Sequence, residues 1–597
     1  MTGNQVIIIF SGRFILKTNS IKKLLVLYIF FAVCGIIFSQ NITSDRRTTW
    51  STHFFQIETD TTINILDYGA DNSGVTNCLP AYSQILLDFP SEAVRIYFPP
   101  GTYLFTAPVN LRSNMILAGA GSDSTLFKFN GSGVNNFIQV YGSASAAPVG
   151  LASHYAKDDF FVTATDASGL QPGDFIKIIE DDAGRITSAW ASNLIGQLVE
   201  IDTIVGNDIY FTDPLRLSFD SINNPRFIKV NMKTRVGIEC LAIERMDATV
   251  AQTKNIDFSW AAYCYVNGVK SNKTNFGHVV MSNSYNVHVT NSYFTNSHGY
   301  GGGGQGYGVV LQLTSGNCLV QNNIFEHLRH SMLLQACVNG NMLAYNYSRD
   351  PYWDSFPSNA SGDLVLHGNY VFMNLLEGNI VQNIVMDDSH GLNGPFNTFY
   401  RNRAELFGIV MNNASDNQNF VGNEITNLLI GFYTLVGSGH YEYGNNDGGT
   451  TVPAGTSLVQ DTTLFITNQN PYNGLIGALP FIGYPNLMNT FKNQAQLNFE
   501  AGVLANCGQE FIDTTTHDTN TVGNEGWPSN PWTLYPNPTS QILYVTGIEA
   551  QVEYEVYNSQ GVLCLQGIYA QGLNIEGLAP GLYFLRINSR HHRFIKE

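Results

Sequence analysis

A six-residue phrase, Asn-x-x-x-x-Asn, recurs through the middle of the chain and constrains its fold more than any other feature. It reads Asn286-VHVT-Asn291, Asn317-CLVQ-Asn322, Asn341-MLAY-Asn346, Asn374-LLEG-Asn379 and Asn397-TFYR-Asn402, and a sixth copy, Gln418-NFVG-Asn423, keeps only the second asparagine. The copies begin 31, 24, 33, 23 and 21 residues apart. Each four-residue centre is short and mostly apolar, and no helical period competes with it. Self-similarity at such an interval is the mark of a solenoid, in which about 22 residues complete one turn of short parallel strands and longer intervals carry loops. Asn suits the corners because it tolerates left-handed backbone and bonds locally. Stacking the turns about 4.8 Å apart brings equivalent side-chain amides into a ladder. These asparagines are therefore read as structural, and the chain as all-β with a parallel β-helix at its centre.

A solenoid also accommodates 597 residues, too many for one ordinary core. Charged residues are 13% of the chain and aromatics 12%, which is far from the composition of disorder. The formal charge of -17, with no basic stripe, excludes nucleic acid as a partner. Lys22 and Lys23 precede an unbroken apolar run of 15 residues, Leu24 to Phe38, and polar sequence resumes at Ser39. That run is short for a membrane span and fits a secretory signal peptide over residues 1–39. Cys34 would leave with it. The other cysteines form no C-x-x-C pair and no His/Cys metal spacing. They read as small buried apolar residues, with Cys240 and Cys264 placed to stack or pair.

The coils are expected over residues 60–505. Residues 155–225 break their rhythm with alternating strands and tight turns, such as Gly196-QLVEIDTI and the Gly206-Asn207 turn, and are read as a small β insertion. Two loops lengthen individual turns: the glycine-rich HGYGGGGQGYG and Pro351 to Gly362. The second carries Tyr352, Trp353 and Phe356, candidates for stacking on sugar rings. Residues 431–505 are irregular and are expected to cap the open end of the solenoid, whose bare strand edges need covering. Residues 508–531 are polar, lack apolar periodicity and read as a linker.

The first coils carry a family resemblance. Asn64-ILDYGADNSGVTNCLPAYSQIL, then Val94-RIYFPPGTYLF, then Asn114-MILAGAGSDSTLFKF resembles the start of the pectate-lyase-superfamily β-helices, with Asn77 where that family often has Asp. The resemblance covers about 70 residues and implies a right-handed, single-stranded parallel β-helix; the superfamily holds hydrolases, lyases, epimerases and phage tailspikes, so it does not name a reaction. The C-terminus, from residue 532 to 597, resembles the type A sorting domain of the type IX secretion system of Bacteroidota. Leu534-YPNPTSQILYV, Val556-YNSQGVLCLQG and Leu578-APGLYFLRI stand in the order of that family. The resemblance implies a small β-sandwich, export through the outer membrane by that machinery, and removal of the domain.

Aligning the strands that precede each Asn phrase gives a polar column. The strands are Val309-VLQ, Met332-LLQ, Leu364-VLH, Asp387-DSH and Ile409-VMN, and the column is Gln312, Gln335, His367, His390 and Asn412. Alternation puts Asp388 on the face of His390, and adjacent coils bring His367 and His390 within reach of each other. His327, Arg329 and His330 precede one strand, Asp363 the next, Asp387 begins another, and Arg401 and Arg403 follow on the neighbouring strand. Acids, bases and cations would thus share one groove, as glycan cleavage requires. The candidate catalytic residues are Asp388, His390, His367, Asp387, Asp363, His330, Arg401 and Arg403. The candidate sugar-binding residues are Gln312, Gln335, Arg329, Tyr352 and Trp353.

Two reactions fit. Hydrolysis needs two carboxyls, which Asp387 or Asp388 with Asp363 or Asp354 would supply. β-Elimination needs a base near C5 of a uronic acid and a cation for its carboxylate, Ca²⁺ held by Asp or an arginine. No Lys occurs between Lys273 and Lys492, so the fixed cations there are Arg329, Arg349, Arg401 and Arg403. A third reading is a non-catalytic glycan-binding or adhesive solenoid. In each case the expected partner is an extracellular polysaccharide, met by a monomer.

Overall fold

In the computed structural model, residues 42–507 are described except for 54, 146, 302–303, 354–360, 388, 457–458, 460–462 and 465–490, as is much of 533–596. The signal segment and linker lie outside these residues. So do Asp354, Phe356 and Asp388.

Each coil visits three parallel sheets in turn. On the first, Gly277–Ser282, Tyr307–Gln312, His330–Leu334 and Leu364–Leu366 stack in register. On the second, Tyr285–Thr290, Leu319–Gln321, Met342–Ala344 and Leu375–Glu377 do the same. On the third, Tyr293–Thr295, Ile324–Glu326 and Tyr347–Arg349 follow. This is the parallel β-helix expected from the repeat, right-handed as the family resemblance implies. Alternation along each strand sends Val279 and Met281, Val309 and Leu311, Met332 and Leu334, and Leu364 and Leu366 inward to one continuous core.

The asparagines stack as anticipated, with one shift of register. Asn341, Asn374 and Asn397 form one file, each amide donating to the next side-chain oxygen at 2.9–3.0 Å, and Gln418 ends it. Asn346, Asn379, Asn402, Asn423 and Asn445 form a second file with the same spacing to within 0.1 Å. In the two earliest copies Asn286, Asn291, Asn317 and Asn322 sit one position earlier, at left-handed corners with φ between 50° and 57°. There the file passes through Asn323 instead, which donates to Asn346 at 3.0 Å.

The insertion is a separate antiparallel unit built on Phe175–Ile179, Gly196–Val205 and Arg226–Asn231. Its pairing begins earlier than the sequence rhythm suggests, at Ser143–Ala144. It has its own core, including Val162, Ile176, Val199 and Phe211. It lies along the corner between the first and second sheets, where Lys177 Nζ donates to Asn283 at 2.8 Å and Arg216 to Asn339 at 3.0 Å.

Both ends of the solenoid segment run back along its outside. Residues 42–55 cross the second sheet: Arg46 bonds Asn419 at 2.8 Å, Trp50 Nε1 donates to the Met373 carbonyl at 2.9 Å, and His53 pairs with Asp213. The stretch 431–505 does not simply cover the open end. Phe432–Thr434, Tyr441–Tyr443 and Asn445–Asp447 add a further coil, and residues 491–507 then return along the third sheet. Phe491, Ala495, Phe499 and Leu504 cover outward-facing Tyr293, Ile324, Tyr347 and Ile380. The apolar outer face of that sheet supplies the driving force. At the C-terminus two small antiparallel sheets share a core of Leu543, Val556, Leu573, Leu585 and Phe594. Among the described residues no helix is long and apolar enough to cross a membrane.

Candidate functional site

A groove of about 800 Å³ lies on the outer face of the first sheet, walled on one side by the insertion. Its size is typical of small-molecule sites. The strands below it are apolar inward, so their alternate residues must face out. Tyr307 and His330 lead two successive strands and are register partners, with ring centroids 4.9 Å apart. At the other end of the same strands the polar column begins as expected: Gln312 donates to Ser282 Oγ at 3.0 Å and Gln335 donates to Gln312 Oε1 at 2.8 Å. His367 follows.

The next column member is Asp387, not His390. Ile384, Val385 and Met386 pair with Leu364, Val365 and Leu366, because the apolar triplet rather than Asp-Asp-Ser-His fills the strand. Asp387 therefore stands over His367, and His367 Nδ1 lies 2.7 Å from Asp387 Oδ2. His390 belongs to the turn beyond. Its ring meets His367 edge-on at 4.8 Å between centroids, and Trp190 of the insertion meets it edge-on at 5.4 Å. Ser188 Oγ lies 3.5 Å from His390 Nδ1.

The electrostatics separate the three imidazoles. Burial, reinforced by His367 and Arg329, drives His330 down to about 3, so it is neutral at ordinary pH. Its Nδ1 faces the Gly362 carbonyl oxygen at 2.9 Å, which fixes the proton there and leaves Nε2 a lone pair without a partner. Burial and the neighbouring His367 also lower His390. Burial opposes ionisation of Asp387, but the hydrogen bond and charge of His367, the Ser389 amide and His330 together outweigh this and hold the carboxyl below its usual range. An ionised Asp387 accepts the Nδ1 proton of His367 and leaves its Nε2 as acceptor. Burial raises the Tyr307 phenol, which stays protonated. Arg329 lines the groove, with Nη1 held by the Gly301 carbonyl at 3.1 Å. Such a set can take a proton at one point and deliver one at another.

Other expected residues lie elsewhere. Asp363 is fully buried inside the coil, its Oδ2 accepting from the Gln382 amide at 2.7 Å, and burial pushes it up to about 7. It occupies the inward position equivalent to Ser331, whose neighbour Met332 donates to the Asp363 carbonyl. Arg401 and Arg403 lie at the far corner and on the third sheet. Arg401 donates to the Val459 carbonyl at 2.6 Å, and Arg403 pairs with Glu424 at 2.7 Å and with the Phe491 carbonyl. Tyr352 stacks on Tyr300 at 4.1 Å, and Trp353 packs edge-on against Phe407 while donating to the Ser361 carbonyl. Neither lines the groove. Sequence reasoning missed Tyr307, which its pairing with His330 would have revealed, and Trp190, for which no local signal exists. Among the described residues no group of three His, Cys, Asp or Glu converges to hold a metal.

Fold and groove together define a parallel β-helix protein that carries a secretion tail. Residues 62–165 match the family model described as rhamnogalacturonase A/epimerase, pectate lyase-like, and residues 533–597 match the secretion system C-terminal sorting domain. The sorting domain directs the chain by type IX secretion to the cell surface or the medium. No curated protein matches the chain in sequence. Among solved structures, the tailspike of Pseudomonas phage phi297 is 14% identical over 64% of this chain and 73% of its own, with a TM-score of 0.46. The tailspike of Pseudomonas phage LKA1 is 15% identical over 65% of each chain, with a TM-score of 0.43. An exopolygalacturonase from Thermotoga maritima is 13% identical over 66% of this chain and 90% of its own, with a TM-score of 0.34.

Proposed function

We propose that this exported protein cleaves a uronic-acid-containing polysaccharide by β-elimination in the groove of the first sheet. The observation that carries the proposal is the His367–Asp387 pair at 2.7 Å, in a groove that the protonated Tyr307 also lines and whose described lining holds no carboxylate. His367 Nε2, its tautomer set by Asp387, takes the proton from C5 of the uronate. The C4–O4 bond breaks, a C4–C5 double bond forms, and the Tyr307 hydroxyl gives its proton to the leaving oxygen. Arg329 pairs with the uronate carboxylate and acidifies the C5 hydrogen, the role a Ca²⁺ ion would otherwise fill. Hydrolysis would need two carboxyls, and Asp363 lies inside the coil.

The test is incubation of the exported protein with a panel of plant, algal and bacterial polyuronides, with and without chelator. Shortened chains with ultraviolet absorbance from the new conjugated double bond are expected. Shortened chains without that absorbance would replace elimination by hydrolysis, and binding without shortening would make this a glycan-binding solenoid.

A further inference from the structure

Four of the described cysteines, Cys78, Cys264, Cys318 and Cys337, are fully buried, and three of them belong to the coil core. Cys240 and Cys507 differ. Both are only partly buried, and they lie side by side. Cys240 occupies the left-handed corner after strand Val236–Glu239, with φ 55°. Cys507 ends the segment that returns along the third sheet. Cys240 Sγ lies 3.8 Å from the Cys507 carbonyl oxygen, and Cys507 Sγ lies 3.3 Å from that of Gly268. Gly268 is the equivalent corner one coil on, and a Cβ there would come within 2.9 Å of Cys507 Sγ. The adjoining Asn506 amide donates to Asn291, the corner of the following coil, at 3.0 Å. Three successive corners thus hold the end of the segment, with Cys240 and Cys507 side by side.

We propose that Cys240 and Cys507 are joined by a disulfide in the exported protein. Two thiols placed together, in a chain sent out of the reducing cytoplasm, are the setting in which disulfides form and persist. The reaction is exchange with the disulfide of a thiol oxidoreductase in the export compartment. The Cys507 thiolate attacks that disulfide, forming a mixed disulfide and releasing one carrier thiol. The Cys240 thiolate then displaces the second. The protein gives up two protons and two electrons, and the carrier leaves as a dithiol. The hydrogen bond from Cys240 lowers the Cys507 thiol to about 7, which suits it as the attacking group. The bond fastens the last residue before the linker to an early coil. It is independent of what the groove does.

Peptide mapping of the protein recovered from the cell surface or medium, denatured and alkylated without reduction, tests this. One cross-linked pair of peptides containing Cys240 and Cys507, two hydrogens lighter than the dithiol and separated by reductant, is expected. Alkylation of both residues in the unreduced sample, or linkage of either to another cysteine, overturns the proposal. Cys507→Ser should leave Cys240 open to alkylation without reduction. Reductant should lower the melting midpoint of the unsubstituted protein by several degrees and leave that of Cys507→Ser where it is. Should the variant not be exported, the map of the unsubstituted protein decides alone.

Discussion

Asp387 stands directly over His367 on adjacent coils, with its Oδ2 2.7 Å from Nδ1. The contact assigns tautomer and orientation to one of three clustered imidazoles and to neither of the others. Asp387→Asn keeps the shape but can present an amide donor to Nδ1. We expect turnover to fall about 10³-fold with KM little changed, since positioned proton transfer contributes about 10²–10⁴. Steady-state rates of unsaturated-product release check this.

Tyr307→Phe removes one hydroxyl and leaves the ring tilted against His330. A loss of about 10²-fold in turnover is expected if the phenol protonates the leaving oxygen. A substrate with a better leaving group at C4 should recover most of it. Equal losses on both substrates would deny the phenol that role.

Trp190 is 46% exposed, unusual for so large an apolar side chain, and it faces the groove from a different unit of the fold. Trp190→Ala should weaken oligosaccharide binding about tenfold, or about 1.4 kcal/mol, with turnover at saturation nearly unchanged. Titration calorimetry on the inactive Asp387→Asn background separates binding from chemistry.

Asp363 gives a pH-dependent prediction of definite sign. Burial raises it from 3.8 to about 7. Below 3.8 the folded and unfolded chains are both protonated there and the residue is silent. Between 3.8 and about 7 the folded chain keeps a proton that the unfolded chain has lost, so stability falls as pH rises, and above that range the cost is constant. Asp363→Asn keeps the acceptor for the Gln382 amide and removes the titration. It should raise the melting midpoint at pH 8 more than at pH 5, the difference growing steadily between them.

Asn379 accepts from the Asn346 amide and donates to Asn402, and also donates to the Leu343 carbonyl at 2.8 Å. Asn379→Leu strands buried donors and acceptors on both neighbouring coils. At about 1–3 kcal/mol for each unsatisfied buried group, unfolding by denaturant should be eased by about 3 kcal/mol or more.

The coil was legible because a solenoid repeats its own constraint. Amides recur at the same place on successive coils, each strand alternates, and six imperfect copies outvote any one. The site was legible in part. The Gln312–Gln335–His367 column followed from strand alignment, since outward polar residues on apolar strands announce themselves. The fourth strand was misaligned because Asp387 to His390 looked like a strand end, whereas Ile384 to Met386 carry the apolar pattern. Asp363 aligns with Ser331 and not with His330, one residue before Leu364 where His330 is two before Met332, so one faces inward and the other out. Pairing skips Gly308 and Ser331 between Tyr307–His330 and Val309–Met332. Trp190 reaches the groove from about 200 residues away, through docking of the insertion, and no periodicity encodes that.

The strap formed by residues 42–55 sets an order on assembly. Arg46 needs Asn419, and Trp50 needs Met373, so the first described residues find their places only after almost the whole solenoid has been synthesised. A chain that emerges N-terminus first cannot complete its fold behind it. Partners so distant in sequence make closure slow, and any nascent chain cut short of its final coils leaves the strap undocked. The protein thereby carries its own signal of completeness, read out as the burial of a single tryptophan.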